Sequence, residues 1–467
     1  MPSPHSFDPT ILREYDIRGV VGETLGNDDA RALGRAFGTM AGETGATTVC
    51  VGYDGRTTSP QLEAAVVEGL GEAGIAVKRV GRGPTPMLYF AIHHLRADGG
   101  VMITGSHNPP DHNGFKMMLG GKPFFGVDIQ RLGVVAARGA FSDSGDEAGR
   151  AVETVAVDEP YLHTLVAAYE GVAEGADLKV AWDAGNGAAG EIMARLTQRL
   201  AGTHILINET IDGSFPSHHP DPAVAENLTQ LQETVRREGC DLGIAFDGDG
   251  DRIGVVDDEG EILWGDQFMV ALASDVLEDT PGATIIADVK ASQVLFDEIA
   301  RMGGTPLMGR TGHSLIKALM AETGAPLAGE MSGHIFFADR YFGYDDALYA
   351  AVRLLLVVAR TGESLAALRR RLPKVVNTPE LRFDCADTRK FAVIEEVKER
   401  LQAAGTEVND MDGVRARTPD GWWLLRASNT QAVLVARCES GEEAGLERLK
   451  ADLVEQLRQS GVTPPQF

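Results

Sequence analysis

Cysteine is scarce in this chain of 467 residues, and the four cysteines lie far apart. No CxxC pair is present, and four scattered thiols do not form the framework of a small disulfide-rich protein. Few and unpaired cysteines are typical of a reducing compartment, so we expect a cytoplasmic protein. The cysteines are Cys50, Cys240, Cys385 and Cys438.

Basic residues are also few, since 43 Lys and Arg stand against 68 Asp and Glu, a formal net charge of −25. An acidic surface argues against nucleic acid or an anionic membrane as the partner. A small anionic substrate remains compatible with this charge if Arg and Lys gather locally in a cleft.

Long apolar runs are missing as well. The most apolar window, ALYAAVRLLLVVA, is interrupted by Arg353 and is too short to span a bilayer. We interpret it as a buried helix. The first residues, MPSPHSFDPTILREYDIRG, have neither the basic region nor the apolar region of a signal peptide. We therefore expect no membrane partner.

Several short apolar runs do occur, each ending in a loop rich in Gly or Asp. Helical patterns such as SPQLEAAVVEGLGEAG follow many of them. This alternation predicts α/β units with parallel or mixed sheets, whose ligands lie at the carboxyl ends of the strands. The runs are TTVCVGYDGR (47–56), GGVMITGSHN (99–108), LKVAWDAGNG (178–187), LGIAFDGDGD (242–251) and TIIADVKAS (284–292).

The pattern recurs along the chain and suggests a repeated α/β unit. Polar or proline-containing stretches near 152, 260 and 372 predict four domains, 1–152, 153–260, 261–372 and 373–467. The last of them mixes strands (GWWLLRAS, AVLVARCE) with a terminal helix, which predicts a smaller α+β domain.

The stretch FDGDGDRIG (246–254) places Asp247, Asp249 and Asp251 at alternate positions separated by glycines. Three carboxylates this close repel each other unless a cation lies among them, and hard oxygen ligands select Mg²⁺ or Ca²⁺. An EF-hand loop is excluded because Arg252 and Asp258 stand where its glycine and glutamate belong. An acidic turn without a ligand is the alternative. Beside a metal, Arg252 could bind a phosphate.

The loop TGSHNPPDHNGFK (104–116) follows an apolar run and holds Ser106 between turn-forming residues. A Ser-His-Asp hydrolase is a poor fit, because the chain has no GxSxG elbow and adjacent Ser106 and His107 side chains point in different directions. Ser106 is either a turn residue or a phosphoryl carrier whose charge a nearby metal offsets.

Two further clusters have moderate signals. Arg426, Ser428, Asn429 and Thr430, with Arg437 one strand later, could clamp a phosphate, or could simply form a polar hairpin. Glu330, Ser332 and His334 alternate and so share one side of an extended loop, where they could bind sugar hydroxyls. For these three residues and for His313, the alternative is a polar loop residue with satisfied hydrogen bonds.

Together these motifs resemble the α-D-phosphohexomutase superfamily, and within it the bacterial phosphomannomutase/phosphoglucomutase family. The resemblance extends over nearly the whole chain, from residue 15 to residue 430, and the motifs occur in family order. The matching stretches are YDIRG (15–19), TGSHNPPDHNGFK, HHPDP (218–222), FDGDGDR, DVKAS (288–292), TGHSLIK, GEMSGH and RASNT.

The resemblance implies four domains around a central cleft, of which the first three are similar α/β units. It implies that Ser106 is the phosphoserine, that Asp247, Asp249 and Asp251 bind Mg²⁺ and that the phosphoserine completes the metal shell. The remaining implied roles fall into three groups. Arg18, His107, Lys116 and Arg252 surround the phosphoryl group; Tyr15, Lys290, His313, Glu330, Ser332 and His334 line the substrate cleft; Arg426, Ser428, Asn429, Thr430 and Arg437 hold the phosphate that does not react.

The implied reaction interconverts hexose 1-phosphate and hexose 6-phosphate, for mannose and glucose, through a hexose 1,6-bisphosphate. The implied cofactors are Mg²⁺ and glucose 1,6-bisphosphate as activator, and the expected state is a monomer, with a dimer as the alternative. Lys116 and His107 are the candidate general bases. For Lys116 we expect burial among cations to lower the pKa. His334 is a further candidate for proton transfer.

Three departures from the family pattern are His112, Arg310 and Gln431, where relatives often have an aromatic residue, Lys and Pro. Gln431 could loosen the phosphate loop. The nearest competing function is phosphoglucosamine mutase, whose members usually show ASHNP and a different phosphate loop; Gly105 and Asn429 oppose it. Two different classes of protein also compete with the mutase: an Mg²⁺-dependent sugar phosphatase and a non-catalytic sugar-phosphate sensor.

Overall fold

The computed structural model describes residues 3–142, 151–170, 177–429 and 431–467. Most of the polar stretch before the predicted division at 152, and Thr430 of the predicted phosphate loop, lie outside the described residues. Within these ranges, no helix is both long enough and apolar enough to cross a membrane.

The first unit is a seven-stranded mixed sheet flanked by helices. Its central strands β2, β4 and β3 are parallel, and β5 pairs antiparallel with β4. Its strands are β1 (Ile17–Val20), β2 (Thr48–Tyr53), β3 (Ala76–Arg82), β4 (Gly99–Ile103), β5 (His112–Leu119), β6 (Lys122–Pro123) and β7 (Val152–Thr154). Its helices are α1 (Asn27–Glu43), α2 (Ser59–Glu72), α3 (Thr85–His94) and α4 (Val127–Arg138).

The second unit repeats this plan with five strands. Here β8, β9 and β10 are parallel, and β11 pairs antiparallel with β10. Its strands are β8 (Lys179–Asp183), β9 (Thr203–Ile207), β10 (Leu242–Phe246), β11 (Ile253–Asp257) and β12 (Ile262–Leu263). Its helices are α5 (Asp158–Ala167), α6 (Gly190–Thr197) and α7 (Thr229–Glu238), with a short 3-10 helix at Ala225–Leu228.

The third unit has the same strand order again. Strands β13, β14 and β15 are parallel, and β16 pairs antiparallel with β15. Its strands are β13 (Thr284–Asp288), β14 (Thr305–Gly309), β15 (Leu327–Gly329), β16 (Ile335–Phe337) and β17 (Tyr344–Asp345). Its helices are α8 (Gly265–Asp279), α9 (Gln293–Arg301), α10 (His313–Thr323), α11 (Ala347–Thr361) and α12 (Leu365–Arg371).

The C-terminal unit is an antiparallel six-stranded sheet with two helices. Its elements are β18 (Val376–Asn377), β19 (Leu381–Asp384), α13 (Asp387–Ala403), β20 (Glu407–Asn409), β21 (Val414–Thr418), β22 (Gly421–Ala427), β23 (Val433–Ser440) and α14 (Glu443–Gln459). Alternate apolar residues of β22 and β23 pack against α14, as the period of a half-buried strand requires.

The cores show how the units are joined. One apolar cluster runs from Tyr89 of α3 through Trp182 of β8 to Leu355 of α11, so the first three units share a continuous core. The C-terminal unit has a core of its own around Trp423. The predicted α/β units, the smaller α+β unit and the buried helix over ALYAAVRLLLVVA are therefore confirmed.

The first and second sheets extend a few residues beyond the predicted domain divisions at 152 and 260. β7 still pairs with β3 of the first sheet, and β12 still pairs with β11 of the second. The division of the chain into four domains at 152, 260 and 372 stays a prediction.

Candidate active site

The same hairpin connection of each α/β unit supplies one wall of the site. The β4–β5 connection holds Ser106, the β10–β11 connection holds the three aspartates, and the β15–β16 connection holds Glu330 to His334. Backbone bonds link these loops to neighbouring units: Ile253 N donates to Gly333 O at 3.0 Å, and Thr85 N donates to Asp249 O at 2.8 Å. Repetition of the fold thus brings chemically different loops together.

Ser106 is buried in this junction and adopts left-handed backbone geometry, with φ of 48°. Its backbone N–H donates to Thr104 Oγ1 at 2.8 Å. Its hydroxyl lies 3.0 Å from Asp247 Oδ2 and 3.1 Å from His107 Nδ1. A non-glycine residue in this conformation requires support from its surroundings, so the serine is held in place opposite a carboxylate.

Arg56 provides that support, and the sequence patterns did not reveal it. The fully buried guanidinium donates to the carbonyl oxygens of Ser106 at 2.7 Å, Asn108 at 2.6 Å, Pro109 at 2.5 Å and His112 at 3.0 Å. Asp54 lies 3.3 Å from Arg56 Nε and also accepts from Gly105 N at 3.2 Å. The signal available in the sequence was Asp-Gly-Arg directly after a buried strand.

The three aspartates are completely buried. Their carboxylates can each place one oxygen within 4.8 Å of the others. Burial, and then the charges of Asp249 and Asp251, raise the pKa of Asp247 well above its usual range. Among the described residues Asp249 Oδ1 has no hydrogen-bond partner. A buried set of hard oxygens with an unpartnered atom suits a divalent cation such as Mg²⁺.

Lys116 lies among anions, contrary to expectation. Its ammonium donates to Asp249 Oδ2 at 2.8 Å and to Asp251. Burial opposes the charge, but the two carboxylates outweigh it and raise the pKa of Lys116 well above its usual range. The expected lowering of the lysine pKa by surrounding cations is therefore wrong for this structure, and Lys116 is a poor base here.

His107 has the opposite environment. Burial, together with the nearby charges of Arg252, Arg18 and Lys116, lowers the pKa of His107 well below its usual range. The imidazole is therefore neutral at physiological pH and can accept a proton. Its Nδ1 lies 3.1 Å from Ser106 Oγ, so the expectation that these adjacent side chains point in different directions is wrong. The contact puts the imidazole beside the group whose proton must move.

The third loop joins Glu330, Ser332 and His334 in one hydrogen-bonded group. Glu330 Oε2 lies 2.8 Å from His334 Nδ1, and Glu330 Oε1 accepts from Gly312 N at 2.5 Å. Burial disfavours the His334 cation, but Asp251 and Glu330 raise its pKa to about 9. Although burial opposes ionisation, His334 helps to hold the pKa of Glu330 at about 2. The loop thus presents a fixed carboxylate and hydroxyl.

Arg252 and Arg18 border the serine loop. Arg252 Nε lies 3.4 Å from His334 Nε2, and its guanidinium approaches Asp221 at 3.7 Å. Arg18 pairs with Asp16 and stays about one-quarter exposed. His313 lies with its ring centroid 5.6 Å from that of His334.

The C-terminal loop closes the other side of the cleft. Arg426 pairs with Asp412 at 3.1 Å, and Asn429 Nδ2 donates to Tyr15 Oη at 2.6 Å. Tyr15 in turn donates to Thr311 O at 2.9 Å. The first, third and fourth units therefore meet at Tyr15. Burial raises the pKa of this tyrosine to about 12, so it stays a neutral donor.

Three other predicted residues occupy separate positions. Ser428 accepts from Gln431 N at 3.2 Å within the loop, and Lys290 donates to Glu380 at 2.9 Å. Arg437 donates to Lys290 O at 2.5 Å and approaches Asp266 at 3.3 Å, which makes it a buried interdomain contact. The place of Arg437 in the phosphate clamp stays a prediction.

Family models match four consecutive stretches of the chain. They are phosphoglucomutase/phosphomannomutase alpha/beta/alpha domain I over residues 9–132, domain II over 159–260, domain III over 264–376, and the phosphoglucomutase/phosphomannomutase C-terminal domain over 380–456.

Full-length relatives agree with these matches. The chain is 43% identical over 449 residues to a phosphomannomutase/phosphoglucomutase of Pseudomonas aeruginosa, covering 96% of each. It resembles a crystal structure of a phosphoglucomutase/phosphomannomutase family protein from Burkholderia thailandensis with 41% identity and a TM-score of 0.91, covering 98% of this chain and 100% of that one. An Aspergillus fumigatus N-acetylphosphoglucosamine mutase, solved with GlcNAc-6P and magnesium, shares the fold at 13% identity and a TM-score of 0.63 over 97% of both chains. The chain belongs to the phosphoglucomutase/phosphomannomutase family.

Proposed function

We propose that this chain is a phosphohexomutase that interconverts the 1-phosphates and 6-phosphates of mannose and glucose through a phosphoserine. One observation carries the proposal: Ser106 Oγ lies 3.0 Å from Asp247 Oδ2 at the edge of a buried three-carboxylate cluster. A serine placed there is suited to carry a phosphoryl group, because a cation held by the carboxylates offsets the added charge.

Asp247, Asp249 and Asp251 would hold Mg²⁺, with the phosphoserine completing the set. When bound, the ion neutralises charge on the phosphoryl oxygens and withdraws electrons from phosphorus. Lys116, which now pairs with two of these carboxylates, would be free to bind a phosphoryl oxygen once the cation takes its place. Arg252 and Arg18 supply further positive charge around the same group.

The reaction then has two halves. The sugar hydroxyl at C6 of a hexose 1-phosphate attacks the phosphorus of phospho-Ser106, the serine P–O bond breaks, and a hexose 1,6-bisphosphate forms. The bisphosphate turns within the cleft, and Ser106 Oγ attacks the phosphorus at C1, which releases hexose 6-phosphate and restores the phosphoserine. His107 is the group next to Ser106 Oγ that can accept its proton in this second half.

The sugar must bind in both orientations, so contacts shared by the two are needed. Glu330 and Ser332 would bind the sugar 3- and 4-hydroxyls, which mannose and glucose have in common. His334, charged and beside Glu330, would take part in proton transfer. Arg426, Ser428, Asn429 and Thr430 would hold the distal phosphate, with Tyr15, Lys290 and His313 lining the cleft between.

Glucose 1,6-bisphosphate would act as activator by restoring the phosphoserine when an intermediate escapes. A monomer suffices, because every residue named above comes from one chain. A cytoplasmic location fits the four buried free cysteines.

A coupled assay of the purified protein with Mg²⁺ tests the assignment. Mannose 1-phosphate, glucose 1-phosphate and glucosamine 1-phosphate are offered separately, with and without glucose 1,6-bisphosphate. Turnover of the first two to 6-phosphates is expected. Preference for glucosamine 1-phosphate would favour phosphoglucosamine mutase, and release of inorganic phosphate without an isomer would favour a phosphatase.

Arg56→Lys is expected to lower kcat roughly 10- to 100-fold with little change in KM, because the three N–H groups of a lysine cannot bond four loop carbonyls at once and Ser106 would shift from its working position. Steady-state assays on both sugar phosphates measure this. Arg131→Lys, which alters only an exposed ion pair with Glu43, is the matched control. Wild-type kcat in Arg56→Lys would show that the loop keeps its shape without the guanidinium.

A further inference from the structure

A second group of metal-ligating side chains lies directly beside the three aspartates. It consists of Asp251, His334, Asp345 and His313, which we call the histidine cluster. Asp251, His334 and Asp345 can each offer one ligand atom within 4.8 Å of the others. Both carboxylates are completely buried, and both imidazoles are nearly so.

In each of the two carboxylates of the cluster, one oxygen pairs with a lysine and the other oxygen does not. Asp251 uses Oδ2 to pair with Lys116, and Asp345 uses Oδ1 to pair with Lys317 at 2.8 Å. The remaining oxygens, Asp251 Oδ1 and Asp345 Oδ2, have no hydrogen-bond partner within the described part of the chain, and neither has His313 Nδ1. Unpartnered buried polar atoms are costly, so three of them in one cluster call for a ligand.

The spacing of these atoms suits a tetrahedral ion. His334 Nε2 lies 3.2 Å from Asp251 Oδ1, and His313 Nδ1 lies 3.7 Å from Asp345 Oδ2. Four ligands at about 2.0–2.1 Å around a tetrahedral Zn²⁺ are about 3.3–3.4 Å apart. Small side-chain movements would therefore bring Asp251, His334 and Asp345 onto one ion, and His313 would join them by closing on the Asp345 side.

We propose that the histidine cluster is a transition-metal site, separate from the Mg²⁺ site and sharing Asp251 with it. Two imidazoles and two carboxylates select Zn²⁺ or Co²⁺ over Mg²⁺, which prefers six oxygens. An ion bound there engages the imidazole of His334 and removes it from the sugar cleft. The site does not depend on the mutase assignment, because it is tested by the spectrum and the number of bound ions and not by turnover.

Titration of the metal-free full chain with Co²⁺, followed by visible absorption, tests the proposal. Tetrahedral Co²⁺ absorbs far more strongly than the octahedral ion. The wild type is expected to bind two equivalents, one of which gives the intense band. Asp345→Asn and His313→Gln should each lose the band and one equivalent, while Asp249→Asn, which removes a carboxylate that is not a member of the histidine cluster, should keep the band.

Asp346→Asn is the matched control, since Asp346 is the neighbouring buried carboxylate and bonds Tyr161 and Tyr341 instead. It should bind two equivalents with an unchanged band. If Asp345→Asn fails to fold because Lys317 loses its partner, His313→Gln decides. A wild-type spectrum without an intense band, or one that His313→Gln leaves intact, overturns the proposal.

Discussion

Ser106→Ala is expected to reduce mutase turnover on the order of 10⁵-fold or more, because the serine oxygen is the atom that carries the phosphoryl group between the two halves of the reaction. Alanine keeps the Cβ and fills nearly the same space, so the fold and the binding of sugar phosphate should persist. The coupled assay measures the loss, and intact-mass spectrometry should show one phosphate on the wild type and none on the variant.

Ser274→Ala is the matched control, since the hydroxyl of Ser274 donates to the carbonyl of Ala271 in its own helix. It should retain wild-type turnover and phosphate content. Turnover of Ser106→Ala within tenfold of the wild type, or phosphate that remains on the chain, would show that another residue is the carrier.

Asp247→Asn is expected to stabilise the metal-free protein while destroying its activity. Burial, Asp249 and Asp251 raise the pKa of Asp247 in the folded state. The favourable contribution of this carboxyl group to the free energy of unfolding is therefore present at low pH, where the group is protonated, and is lost as pH rises through the folded pKa. At neutral pH Asp247→Asn avoids this loss because an amide carries no charge, and we expect its Tm to lie about 2–4 °C or more above that of the wild type. The difference in Tm between the variant and the wild type should shrink toward pH 4. Turnover should fall roughly 10³-fold.

Thermal scans with and without Mg²⁺ check both parts. Mg²⁺ should raise the Tm of the wild type, because a ligand bound to the folded state stabilises it, but should have little effect on Asp247→Asn. Asp258→Asn, whose carboxylate lies outside the cluster and accepts from Ala366 N, is the control and should respond like the wild type. An equal Mg²⁺ response in Asp247→Asn would mean that the cation binds elsewhere.

Much of the fold could be predicted because its signals are local. The apolar runs at 48–53, 99–103 and 242–246 form β2, β4 and β10, since four or five consecutive buried residues between polar loops suffice to identify a central strand. The repeat was only suggested by the sequence. The identical strand order of the three units became evident from strand pairing, which depends on contacts between residues far apart in the chain.

In the candidate site, too, some residues could be identified from local sequence and others only from contacts between distant parts of the chain. Ser106 and the three aspartates were identified because their residue types and spacing are unusual in themselves. Arg56 was missed because its role is to bond carbonyl oxygens about fifty residues later, which no pattern around position 56 reveals. The contacts of Arg437 with Lys290 and Asp266 could not be predicted, because a strand pattern does not show which domain lies against it.

The sequence alone determined which chemical groups are present, which strands precede them, and which family the motifs resemble, because these follow from residue identity and short-range order. Only the tertiary structure decided which charges meet. Lys116 lies 133 residues before Asp249, and its pKa is raised rather than lowered because packing of the first unit on the second places its ammonium against two carboxylates. The energy of a buried charge depends on its neighbours in space, and those neighbours come from loops of different units.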